Sequence, residues 1–124
     1  MKTKLFLTVI LLGFFSLSYA QSGYVFILAT RGVTGDNVYL SQIHKAKDFK
    51  KCKVGKNLTE CIRNSMASYL MSAGERAFNF EYYIFPNEGS YDTLAQAESK
   101  REEAIKLTNT SGFKLKEIEI QPLD

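Results

Sequence analysis

An apolar run from Leu5 to Leu17, behind Lys2 and Lys4, constrains this 124-residue chain more than any other feature. Its thirteen residues are short for a bilayer span, which takes about 20. Ser18-Tyr19-Ala20 then places small side chains at the −3 and −1 positions of a cut before Gln21, the layout of a secretory signal peptide. Residues 1–20 are therefore expected to be removed, leaving 21–124 as one small domain with a thin stability margin. No later stretch is apolar enough to span a membrane, so the expected product is secreted or periplasmic, with no stable membrane insertion after cleavage.

Export gives meaning to the only two cysteines, Cys52 and Cys61. An even pair nine positions apart in an oxidising space reads as one disulfide. Closing so short a loop stabilises a fold by about 2–3 kcal/mol in the chain-entropy model. A zinc site would have to recruit His44 and Asp48, and that spacing matches no common zinc pattern. The two thiols are also too far apart for a redox motif. No metal or cofactor is expected.

The formal charge is +3, and +1 once Lys2 and Lys4 are removed. Its distribution is uneven. Residues 21–74 carry eight basic and three acidic side chains, whereas residues 75–124 carry six and ten. The positive excess sits in Lys45, Lys47, Lys50, Lys51, Lys53 and Lys56, opposed by Asp48 alone. Such a run serves as a solvated loop or as a contact for an anionic partner. Lys50, Lys51 and Lys53, flanking Cys52, are the expected contact residues. A duplex-binding domain carries far more charge, so nucleic acid is not an expected partner.

Hydrophobic patterning orders the elements as β-β-α-β-α-β. Tyr24 to Thr30 is a continuous apolar run, expected as a central strand covered on both faces. Gly32 and Gly35 mark a reversal, with a hairpin loop of six to eight residues. A second strand from Val38 to about Ala46 breaks its alternation near Gln42, where a bulge or an early exit is expected. Asn57 with Glu60 forms a helix-start pattern, an apolar stripe runs through Leu58, Cys61, Ile62, Ser65, Met66, Tyr69, Leu70 and Ala73, and Gly74 ends the helix. Phe78 to Phe85 is an aromatic strand closed by Pro86, with Phe78, Phe80, Tyr82 and Ile84 on one side and Asn79, Glu81, Tyr83 and Phe85 on the other. A second helix starts at Thr93 with Gln96. Its thin stripe of Leu94, Ala97, Ala104, Ile105 and Thr108 is interrupted by Arg101. In the last strand, Phe113 to Ile120, a bulge at Lys116 or Glu117 would bring Phe113, Leu115, Ile118 and Ile120 to one side. The expected fold is α+β, a two-layer sandwich of two amphipathic helices on a mostly antiparallel four-stranded sheet, in which the third strand, second helix and last strand can form a parallel crossover.

Reactive constellations are scarce. His44 is the only histidine, so a hydrolase would have to build on it, with Ser41 and Asp48 nearby in sequence. No nucleophile elbow, phosphate loop or zinc-protease pair is present. Asn57-Leu58-Thr59 fits a glycosylation acceptor, but Asn57 serves better as a helix cap, and Thr93 is a cap for the same reason. In a two-layer fold one sheet face is uncovered, and Tyr83 with Phe85 would then form an aromatic surface for a sugar ring or a peptide. Phe80 to Ile120, with its strand, Glu/Ala-rich helix and Gly112 leading into a strand, resembles one half of a SPOR-type peptidoglycan-binding domain. That resemblance implies envelope-glycan binding, although a hairpin replaces the family's strand-helix-strand unit in the first half. The expectation is a small exported binding domain without catalysis. Its partner would be an unidentified protein or an envelope glycan.

Overall fold

The computed structural model describes residues 23–49 and 57–123. The leader, Cys52 and the three lysines Lys50, Lys51 and Lys53 lie outside the described residues, as does the expected Cys52–Cys61 bond. The element order follows the expected β-β-α-β-α-β, with the expected second strand divided in two and the sheet five-stranded instead of four: β1 (Tyr24–Thr30), β2 (Asn37–Ser41), β3 (His44–Lys45), α1 (Leu58–Ser72), β4 (Glu81–Phe85), α2 (Leu94–Thr110) and β5 (Lys114–Ile118). Single 3₁₀ turns cover Ala46–Phe49 and Ala77–Asn79.

The sheet is mixed and has five strands, with β1 at its centre. β2, β3 and β4 all pair antiparallel to β1, and β5 pairs parallel to β2. The break near Gln42 is a bulge. Leu28 faces Leu40 while Val25 faces His44, so three steps along β1 match four along β2 and β3. β3 is thus β2 resumed one residue out of step. β4 and β5 run in the same direction at opposite edges, and α2 carries the chain across the two strands between them.

Layering is the correction. Pairing places Val25, Ile27, Ala29, Tyr39, Tyr82, Ile84 and Ile118 on one face, where they pack with Cys61, Ile62, Met66 and Leu70 of α1. Leu28, Val38, Tyr83 and Phe85 point the other way and meet Ala104 and Thr108 of α2. The two helices therefore cover opposite faces, and the sheet is the middle of three layers rather than one of two. The expected bulge in β5 is absent for the same reason. Its register with β2 runs unbroken from Asn37↔Lys114 to Ser41↔Ile118, so Leu115 joins the α2 side and Ile118 the α1 side.

Local signals did their part. The Glu60 N–H donates to Asn57 Oδ1 at 2.9 Å, and Thr93 forms a full capping box with Gln96. Gly74 follows the α1 C-cap with φ +85°, the left-handed region that favours glycine. Full burial of Ile62, Met66 and Leu70 contributes about 1.5–3 kcal/mol each. Arg101, which interrupts the α2 stripe, faces the sheet. Its Nε donates to Ser41 O at 2.9 Å and its NH1 group pairs with Glu117 at 2.8 Å. The aromatic strand is shorter than expected because Ala77–Asn79 turns before it, with the Tyr82 hydroxyl donating to Ala77 O.

Candidate ligand groove

α2 is narrow and small-faced where it crosses the sheet, and it does not cover β4. The gap is a groove of about 420 Å³. Leu28, Val38, Tyr83 and Phe85 of the sheet line one side, Ala104, Leu107 and Thr108 of α2 the other, and Phe113 also lines it. Most of the surface is carbon. Glu81, Lys100 and Glu103 stand at the rim, with Lys100 Nζ 3.4 Å from Glu103 Oε2.

Tyr83 and Phe85, expected as an exposed aromatic pair, share this groove but do different things. The Phe85 ring stacks on the fully buried Phe26 at 4.9 Å and 11°, with Tyr91 beyond at 6.2 Å from Phe26. One face of Phe85 is thereby consumed. Tyr83 remains 48 % exposed. Its hydroxyl donates to Glu81 Oε2 at 2.7 Å, and that hydrogen bond, with the carboxylate charge, pushes the phenol above its ordinary range. Leu107, 70 % exposed on the lip, lies outside the α2 stripe. A leucine out of phase with its helix was the available signal for it. Phe78, expected on the core side with Phe80, is 83 % exposed because the 3₁₀ turn swings it outward.

The residues considered for hydrolysis do not assemble. Ser41 is fully buried, its hydroxyl accepting the Ile27 N–H at 2.9 Å and donating to Gln42 O at 2.9 Å. His44 sits edge-on to Phe49, ring centroids 5.1 Å apart, and its Nε2 is buried without a hydrogen bond. Burial pulls its pKa down, against the opposing charges of Asp48 and Glu119. Among the described residues no three His, Cys, Asp or Glu side chains converge on a point that would hold a metal ion. No helix among them is long and apolar enough to cross a membrane. Cys61 lies on the buried face of α1 as the stripe required. Compared with known proteins, the chain matches no family model, no curated protein and no solved structure.

Proposed function

We propose that this chain is a small exported binding domain without catalysis, and that the groove between α2 and the outer face of β4 is its ligand seat. The observation that carries this reading is the groove itself, a carbon-lined trough into which Tyr83 and Leu107 remain exposed. Concave apolar sites with a few polar groups at the rim are the common form of small-ligand and peptide sites. The ligand should therefore offer an apolar or ring-shaped group. Export through the leader and a Cys52–Cys61 disulfide belong to the same proposal.

Envelope glycan is the second reading, favoured by the Tyr83 ring held beside the Glu81 carboxylate. A ring and a neighbouring acceptor suit a sugar's CH face and hydroxyls. The anionic-partner reading rests on Lys50, Lys51 and Lys53.

The experiment is an NMR titration of the ¹⁵N-labelled protein with the tetrapeptide Gly-Phe-Leu-Gly, soluble peptidoglycan fragments, or an acidic polysaccharide. The groove reading expects shifts at Tyr83, Phe85 and Leu107 that survive about 0.5 M salt, since apolar contacts are not screened. Shifts confined to the lysine segment and erased by salt would replace the groove by the basic loop. No shift near Tyr83 with any probe would end the groove reading.

A further inference from the structure

The groove borders the outer edge of β4, and that edge is open. Antiparallel pairing sets Ile27 opposite Ile84, yet the Ile27 N–H turns toward β2 and donates to Ser41 Oγ. Phe26, Leu28 and Thr30 therefore direct their backbone groups at β4 and bond Phe85, Tyr83 and Glu81. Tyr82 and Ile84 are left with N–H and C=O groups on the far side, and no other backbone group among the described residues bonds them. The other edge strand, β5, carries Lys114, Lys116 and Glu117, the charges that discourage strand pairing. β4 carries Tyr82, Tyr83, Ile84 and Phe85 instead.

Four of the six exposed large apolar side chains among the described residues, all but Val33 and Leu94, line the grooves on the two faces beside this edge. Tyr83 and Leu107 flank it on the α2 side. On the α1 side, Met71 and Phe78, 62 % and 83 % exposed, line a second groove of about 540 Å³ beside Tyr82. The two grooves differ in sign. Arg63 and Arg76 line the second against Glu75 alone, whose carboxylate accepts the Tyr39 hydroxyl, and neither arginine forms an ion pair among the described residues. At the rim of the first stand Glu81 and Glu103, against Lys100 alone.

We infer that β4 is a strand-addition site for an extended peptide of another protein, whose side chains alternate between apolar-acidic and apolar-basic. This rests on the groove reading and names its partner class. A strand placed beside β4 satisfies the Tyr82 and Ile84 backbone groups and sends successive side chains to opposite faces. Acidic ones meet Arg63 and Arg76; basic ones meet Glu81 and Glu103. A membrane surface does not fit, because one plane cannot touch both faces of a sheet edge. A second copy fits poorly. Antiparallel β4–β4 pairing keeps each face with its own kind, so Glu81 and Glu103 of both copies would share one face and the arginines of both copies the other.

The test titrates the labelled protein with the acetylated octapeptide Lys-Glu-Leu-Val-Lys-Glu-Leu-Val and follows amide hydrogen exchange. Lysines and glutamates fall on opposite faces of this strand in either register. The expected result is about tenfold or greater slowing at Tyr82 and Ile84, with Tyr83, already bonded to β1, unchanged. The isomer Lys-Leu-Glu-Val-Lys-Leu-Glu-Val, which puts both charges on one face, should bind at least about fivefold more weakly, and an R63A/R76A variant should lose that preference. Methylating the peptide's edge-facing amides should abolish binding. Occupancy of the groove by Gly-Phe-Leu-Gly with no slowing at Tyr82 and Ile84 overturns strand addition and leaves the groove reading standing. Failure of both peptides overturns both. Slowing that appears with protein concentration instead of peptide overturns the heterologous partner in favour of a dimer.

Discussion

Replacing Ser41 by Ala should be among the costliest small substitutions in the protein, although it removes one oxygen. Ser41 ends β2 just before the bulge, where the ladder between β1 and β2 is interrupted. Its hydroxyl accepts the Ile27 N–H at 2.9 Å across that gap, and Ile27 and Ser41 are both 0 % exposed. Removing the oxygen leaves a buried donor with neither protein nor bulk water to bond. That desolvation costs about 1–3 kcal/mol. For a domain of this size, with a total stability of about 5–10 kcal/mol, the loss is a large fraction. Urea unfolding followed by circular dichroism reads it directly, as a fall in midpoint of about 1 M for a slope of 1–2 kcal/mol/M. Ser65→Ala is the control. Its buried hydroxyl donates to Cys61 O within α1 and accepts the Leu123 N–H at 3.3 Å, a longer bond from a half-buried backbone group near the C-terminus, so its loss should cost less than that of Ser41. A Ser41→Ala midpoint equal to that of Ser65→Ala would refute the reasoning, because the bulge would then be satisfied some other way.

Arg101→Met removes the Nε bond to Ser41 O and the Glu117 contact from a side chain that is 17 % exposed; a loss of about 1.5–3 kcal/mol is expected by the same denaturation assay. For His44, burial holds the folded pKa below the ordinary 6.5, so the unfolded chain takes up its proton first as pH falls. Stability should decline below pH 6.5 down to the depressed folded value, and a His44→Gln variant should show less of that decline in urea midpoints between pH 7 and 5. If Cys52 and Cys61 are joined, adding reductant should add two hydrogen atoms to the intact mass, as the reductant is oxidised, and lower stability by about 2–3 kcal/mol; an unchanged mass and melting temperature would show that no such disulfide forms.

Much of the site's framework was legible in the residue order. The Tyr82/Ile84 and Tyr83/Phe85 split follows from a period of two, and the Asn57 and Thr93 caps follow from local hydrogen-bond chemistry. Arg101 was legible only as an interruption. Its partner, Ser41 O, lies sixty positions away, and nothing local announces that pairing. Phe78 was read as core because it kept phase with Phe80, but the turn at Ala77–Asn79 ends the strand before that phase applies.

The residue pattern by itself determined the order of strands and helices, the caps that start both helices, and which side chains of β1 and β4 share a face. These depend on spacings of two to four positions, a range over which the backbone enforces its own periodicity. Only the tertiary structure decided that the helices take opposite faces of the sheet, that α2 leaves Tyr83 and Leu107 uncovered, and that the β4 edge stays open. An amphipathic helix records that it has a buried face, but not which side of a sheet it will bury it against. That choice lies in the path of the chain from β4 across β1 and β2 to β5, and the groove is its consequence.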